Sequence, residues 1–467
     1  MRKLIAAVAL GALAGCATTP TAPPVLDLPP ATVGDIALDR WWTAFGDPTL
    51  DKLIDEALAH NLDLAAAIAR VEFGRAQVLL AQSDQYPSGD LNVGASRNRS
   101  TQVGSNPLPP GFSPFSTNLA VGLSVSYEAD LWGKYRTATA AAREDLLATE
   151  YARETVRTVI AADTARFYFN LLAADVQLAV LLDTLKLRDD TVVLQRDRFE
   201  GGVIGEFDLR TAEAERANVL ADVAVAKRAV SEFESALAVL LGRSPREVFT
   251  PSIARDVAIA RLVSVPTIPP GVPSDLLARR PDIQRVESQL AAANMRIDVA
   301  RADYYPAISL TGNYGTAAGA LKNLFTGPGV VWGIGAALLQ PIFGLKAIEA
   351  NVDAQTARRN ELVITYTQTV QGAFREAHDA LAANESSREA LAAQNERRLR
   401  LGQALELSTL RYQSGYSPYL EVLDAQRQLL QAQILEIIAA RNVRLSLVDM
   451  AKALGGGWDY KTAVAGP

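Results

Sequence analysis

The stretch "RYQSGYSPYLEVLDAQ" at residues 411–426 has a looser copy, "RFEGGVIGEFDLRTAE", at 198–213, and this duplication constrains the fold more than any other feature. In each copy an arginine precedes an aromatic residue (Arg198 and Phe199, Arg411 and Tyr412). A glycine follows the ring by three positions (Gly202, Gly415), and an acidic residue follows the glycine by six (Asp208, Glu421). The offset of 213 persists through a whole helix length to the pairs Leu241/Leu454 and Gly242/Gly455. A second pair, "NLDLAAAIARVEFGRAQVLLAQSDQYP" (61–87) and "RPDIQRVESQLAAANMRIDVARADYYP" (280–306), matches at an offset of 219, aligning Asp63 with Asp282 and Pro87 with Pro306. "DLWG" and "PIFG" end at Gly133 and Gly344, 211 apart. Two tandem copies of one unit therefore make up most of the chain. The period far exceeds that of a solenoid, so the halves imply a pseudo-two-fold axis.

Each repeat reads as helix, hairpin and long helix pair. Helical signals run from Pro48 to Tyr86, with "GDPTL" as their start. Residues 90–97 and 118–130 then alternate in steps of two around a Pro, Gly and Ser loop. In the second stretch Leu119, Val121, Leu123, Val125 and Tyr127 face one way, and Ala120, Gly122, Ser124, Ser126 and Glu128 the other. One face suits lipid and the other water. From Tyr135 to Arg198 there is no proline or glycine, and Ile160, Phe167, Ala174 and Leu181 recur at seven, joined by Leu171, Leu178 and Leu185. That spacing predicts a coiled-coil seam, on a helix of roughly 96 Å if continuous. "EGGVIG" ends it, and a second helix returns over 206–241. The second repeat predicts a helix at 282–305, strands near 307–315 and 330–340, and helices at 346–411 and 418–454, with Val363, Tyr366, Val370, Ala373, Ala377 and Ala380 in heptad spacing. The uncharged run 323–345 reads as a strand: Pro328 and Pro341 leave "VVWGIGAALLQ", enough for a tilted strand of about 9–11 residues but not for a helix of about 20.

The N-terminus "MRKLIAAVALGALAGC" has the basic start, apolar run and small residues of an export signal over 1–15. "LAGC" looks like a lipoprotein box, which makes Cys16 the acylated residue, and Ala17 after it implies outer-membrane sorting. Residues 16–40, rich in Pro and Thr, read as an extended tether, and Trp41 and Trp42 begin the packed structure. The first repeat occupies 41–242, with its hairpin at 90–130 and helix pair at 135–242. An irregular equatorial connector follows at 243–272. The second repeat spans 273–455, with its hairpin at 307–342 and helix pair at 346–454, and 456–467 form a tail. Cys16 is the only cysteine, so neither an intrachain disulfide nor a thiolate metal site is possible. His60 and His378 are the only imidazoles and stand in no ligand cluster, so neither metal nor other cofactor is expected beyond the lipid. The formal charge of −6, or −8 once Arg2 and Lys3 are removed, argues against a nucleic-acid partner.

Four amphipathic strands cannot close a membrane barrel, because open edges leave backbone groups unpaired in hydrocarbon and barrels start at about 8 strands. Several chains must share one. Two would give eight strands with a filled interior; three would give twelve with room for a pore, which the small inward residues favour.

The lipobox, the strand and helix order of the two halves, the Tyr-Pro before each hairpin, and above all "RYQSGYSPYLEVLDAQ" resemble the TolC-like outer-membrane factors, in their lipoprotein NodT/OprM-type branch. The resemblance covers essentially the whole mature chain. It implies a homotrimeric channel joining a 12-stranded membrane β-barrel to a long α-helical periplasmic tunnel. It also implies a periplasmic adaptor and an inner-membrane pump, of RND type, as partners in drug efflux. On that pattern Gly202 and Gly415 form the adaptor-facing tip, and Asp208, Tyr412, Glu421 and Asp424 border the periplasmic aperture. Glu421 and Asp424, three apart on a helix, share a face, and three-fold symmetry would stack them as negative rings. The sequence departs from the family pattern at Ser417, where the best-known members place an arginine that ties adjacent helices. Both turns are also simple interhelix turns, and acidic residues favour helix starts in any case. Two other functions are compatible with the long helices: a structural periplasm-spanning coiled-coil lipoprotein, which has no use for the strands, and a type I protein secretion channel. An enzyme, such as a glycan hydrolase built on paired carboxylates, lacks any accompanying cleft pattern or nucleophile motif.

Overall fold

The computed structural model describes residues 39–101, 103, 109, 111–255 and 279–458. The signal, Cys16, the tether to residue 38, connector residues 256–272 and the tail beyond 458 lie outside the described residues. Packing begins at a 3-10 turn, Trp41–Phe45, whose Trp41, Trp42 and Phe45 are buried. Helix α1 (Pro48–His60) starts where "GDPTL" predicts: the Asp47 side chain accepts from the Thr49 and Leu50 amides, and Pro48 fills the first turn, where no amide is needed. The helical signals over 48–86 resolve into two helices. Asn61 leaves the helical region (φ −62°, ψ 132°), and its Oδ1 accepts from the Asp63 and Leu64 amides to start α2 (Leu62–Ser83).

The strands β1 (Ser88–Arg99), β2 (Phe115–Glu128), β3 (Ala307–Ala318) and β4 (Val330–Leu339) form one antiparallel sheet in the order β1-β2-β3-β4. Each repeat supplies one hairpin, and β2 and β3 join them. Register carries the alternation across the whole sheet. Val93 pairs with Val121, Leu123 with Tyr314 and Tyr314 with Trp332 on the apolar face. Asn92 pairs with Gly122, Gly122 with Gly315 and Asn313 with Gly333 on the other, which is lined by small and polar residues. β1 and β4 have no further strand partner within the described chain.

The long helices are α3 (Lys134–Glu200) and α4 (Glu206–Leu240) in the first repeat. A one-turn helix α5 (Pro245–Phe249) with a Ser244–Glu247 capping box opens the connector. The second repeat supplies α6 (Pro281–Ala302), the short α7 (Leu321–Leu324), α8 (Leu345–Gln413) and α9 (Tyr419–Ala453). Of the heptad seams, Ile160, Leu171, Ala174 and Leu181 on α3 and Tyr366, Val370, Ala373, Ala377 and Ala380 on α8 are buried, while Phe167, Leu178, Leu185 and Val363 are half-buried.

The chain divides into two compact units, each drawing on both repeats. Glu72–Thr149 and Val286–Tyr366 form the unit that holds the sheet. There Trp132 stacks on Tyr305 with ring centroids 5.0 Å apart and donates its indole N–H to the Pro306 carbonyl at 2.8 Å, while Lys134 pairs with Asp303 at 2.7 Å. Among the described residues, 39–71, 150–255, 279–285 and 367–458 form the other unit. Its core holds Tyr168 and Phe169, and the Tyr168 hydroxyl donates to Asp47 at 2.7 Å. The duplication survives here in contacts whose chemistry has diverged. Asn61 Nδ2 donates to the Leu240 carbonyl at 2.8 Å, and at the matching positions Arg280 donates to the Ala453 carbonyl at 3.1 Å.

Candidate functional site

The duplicated motifs form the turns from α3 to α4 and from α8 to α9, and the two close in the same way. The Gly202 amide donates to the Phe199 carbonyl at 3.0 Å and the Val203 amide to Arg198 at 2.8 Å; the Gly415 amide donates to Tyr412 at 3.0 Å and the Tyr416 amide to Arg411 at 2.9 Å. Both glycines are left-handed, at φ 68° and 77°. This pair of bonds caps the last carbonyls of a helix and requires a residue that tolerates positive φ. The returning helices also start alike, with Asp208 donating its amide to Gly205 and Glu421 to Pro418, each at 3.2 Å. Glu206, Asp208 and Glu421 thus sit in first turns, where the helix dipole favours negative charge.

Tyr412 is tied across the repeats: Arg198 donates to its hydroxyl, and the guanidinium carbon lies 5.6 Å from its ring centroid. The Tyr412 ring also lies 5.6 Å from that of Tyr419, whose phenol is pushed up by burial. Glu421 stands 3.8 Å from Arg411, with both side chains largely exposed. Asp424 is exposed and accepts from Gln428 at 2.5 Å. Asp208 is half-buried and forms no ion pair among the described residues. The structure thus joins Tyr412 to Arg198 and leaves Glu421 and Asp424 as accessible charges on one face of α9. At Ser417 the hydroxyl oxygen is buried with no hydrogen-bond partner among the described residues.

Sequence reasoning missed a layer of ties behind the turns. Arg427 donates to Glu215, Arg188 to Gln426, and Arg216 to Asp189. The first two bridge the repeats. The Arg427 hydrogen bond holds the Glu215 carboxyl below the usual range, and the same bond raises the guanidinium. A signal for this layer was present. The seven-residue series 160, 167, 174, 181 continues to Arg188 and Gln195, both essentially inaccessible at 2 % and 1 % exposure, so the seam turns polar just before the turn.

The model of the family described as "Outer membrane efflux protein" matches residues 53–243 and 272–456, one stretch per repeat. The solvent efflux pump outer membrane protein SrpC of Pseudomonas putida is 34% identical over 423 residues, covering 90% of this chain and 88% of that one. The cation efflux system protein CusC of Escherichia coli is 33% identical over 420 residues, covering 90% of this chain and 88% of its own length. The crystal structure of the Campylobacter jejuni CmeC outer membrane channel superposes with a TM-score of 0.86 at 26% identity, covering 95% of this chain and 97% of that one.

Proposed function

This chain belongs to the outer membrane efflux protein family, and we propose that it is the passive exit duct of a tripartite pump, carrying small molecules such as drugs. It is a channel component of the outer membrane and not an enzyme. The observation that carries the reading is the four-stranded sheet with an apolar face, a small polar face and two bare edges, β1 and β4. Three copies close such a sheet into twelve strands, wide enough for a lumen. Relatives of nearly equal identity bear names for solvent and for cation efflux, so the cargo is set elsewhere in the pump.

The periplasmic end of the duct lies at the turns marked by Gly202 and Gly415. Val203, Phe207 and Tyr416 stand there 73%, 74% and 82% exposed, an apolar presentation that fits a periplasmic adaptor linked to an inner-membrane pump of RND type. Around the same mouth three copies stack Glu421 and Asp424 into rings that draw cations and repel anions. The Arg411 pair leaves that charge largely in force, since exposed ion pairs are worth about 0–1 kcal/mol. Acyl chains on Cys16 anchor the tether, because "LAGC" has the form of a lipoprotein box.

Single-channel recording in planar bilayers tests the aperture. Glu421→Gln with Asp424→Asn is expected to move the reversal potential in a salt gradient toward zero by at least half, and alanines at both positions to raise conductance. Currents and reversal potentials equal to those of the parent channel would place the constriction elsewhere, and an assembled trimer that conducts nothing would favour a structural spacer.

A further inference from the structure

The loop end of the sheet carries a charge imbalance that the efflux reading does not use. No Asp or Glu occurs in residues 91–127 or 304–345, which hold the hairpin loops and all of the strands except the helix-proximal ends of β1 and β2, while Arg97, Arg99 and Lys322 do. Carboxylates return only at the opposite end, with Asp90 in the first residues of β1 and Glu128, Asp130 and Asp303 close to the helices. Because every copy in the trimer has the same sequence, no neighbouring hairpin can supply the missing counter-charge.

Strand alternation fixes where two of these cations point. Arg97 and Arg99 share the β1 face of Leu91 and Val93, whose partners are Leu123 and Val121, so they continue the lipid-facing stripe and not the polar one of Asn92 and Ser96. Register sets Arg99 opposite Phe115, and both guanidiniums flank that ring, at 5.3 Å for Arg97 and 5.7 Å for Arg99. The ring fixes the planar cations. Both arginines are exposed and neither forms an ion pair among the described residues.

We propose that Arg97 and Arg99, held by Phe115, bind the anionic headgroup of an outer-leaflet glycolipid on the outside of the barrel. The inference rests on the outer-membrane reading, which places the hairpin loops at the outer leaflet because the helices lie on the periplasmic side. A guanidinium is weakly hydrated and matches a phosphate bidentately, and its apolar stem can lie along hydrocarbon while the head reaches the interface. Both properties suit a cation at the end of a lipid-facing stripe. A charge serving the cargo would instead project from the small-residue face.

Native mass spectrometry of the intact trimer with added bisphosphorylated lipid A, or with the same lipid dephosphorylated, tests this. The parent trimer is expected to retain the phosphorylated lipid at least about tenfold better, the factor set by losing a charge-assisted hydrogen bond. Arg97→Gln with Arg99→Gln should abolish the difference, Arg97→Lys with Arg99→Lys should keep part of it, and millimolar inorganic phosphate should not displace the lipid. Equal retention of the two lipids by the parent trimer overturns the proposal without any variant having to fold, as does unchanged retention by the double glutamine variant. Bilayer conductance of the same preparations reports the channel separately, so a failed lipid site is distinguishable from a failed channel.

Discussion

Glu215 is a carboxylate with 8 % exposure whose charge is sustained by the Arg427 hydrogen bond and, further off, by Arg188. Removing the cation while leaving the anion in place strands a desolvated charge, so Arg427→Ala should destabilise by about 1–3 kcal/mol. A urea titration followed by helical circular dichroism would read this as a lower midpoint. Glu215→Gln in the Arg427→Ala background should recover part of it. The pH dependence follows from the direction of the shift. A carboxyl whose folded pKa is depressed contributes stability that is fully present above its unfolded value, about 4.3, and is lost as pH falls through the lower folded value. Acidification below about pH 4 should therefore weaken the parent protein by this contribution, and a Glu215→Gln variant should lack that component. The motif residues were legible in the sequence because a duplicated turn keeps its glycine and its first-turn acid. Glu215 and Arg427 were not, because they sit on different helices and no spacing along the chain relates them to each other or to Arg188, which the seven-residue series does reach.

Glycines at the element ends separate two physical demands. At Gly202 and Gly415 nothing lies within 4 Å of an added Cβ, so alanine there meets only the left-handed backbone cost of about 1–2 kcal/mol. At Gly242, with φ 67°, a Cβ would stand 2.0 Å from the His60 carbonyl oxygen, and at Gly455, with φ 77°, 2.7 Å from that of Arg279. Gly242→Ala and Gly455→Ala should therefore cost clearly more than Gly202→Ala and Gly415→Ala, a ranking that thermal unfolding of the four variants would check. A Gly415→Ala variant as damaged as Gly455→Ala would mean that something packs on the turn. The same elements show how far patterning reaches. Alternation placed strands at 90–97 and 118–130, and they run from Ser88 to Arg99 and from Phe115 to Glu128: pairing extends both strands at the hairpin-loop end, while the second stops two residues before the expected Asp130. The break at Asn61 escaped the pattern, since apolar periodicity continues across it and only the side-chain cap marks the boundary.

For the whole molecule, the sheet order decides the assembly. With β1 and β4 at the two edges, one chain leaves two rows of backbone groups unpaired, which hydrocarbon does not tolerate. In an up-and-down barrel β4 of one copy must run antiparallel beside β1 of the next. Adjacent strands lie about 4.8 Å apart, so β1 and β4 of the same chain, with β2 and β3 between them, are separated by three spacings, about 14 Å. A disulfide needs Cα atoms within about 7 Å. A cysteine at Val93 can therefore reach a cysteine on β4 only in a neighbouring copy. Cys16 is the sole native cysteine, and if it is acylated the parent protein has no free thiol, so thiol titration and oxidation of the parent should both be silent. Val93→Cys should then be combined in turn with Ile334→Cys, Ala336→Cys and Leu338→Cys, which sample the register on the lipid-facing side. Mild oxidation should give linked dimers and trimers on a non-reducing gel for at least one pair, collapsing to single chains on reduction, with native mass spectrometry reporting three chains throughout. A folded single-chain species that yields no intermolecular link at any register would contradict the shared barrel, and a titratable thiol in the parent would contradict acylation at Cys16 independently of it.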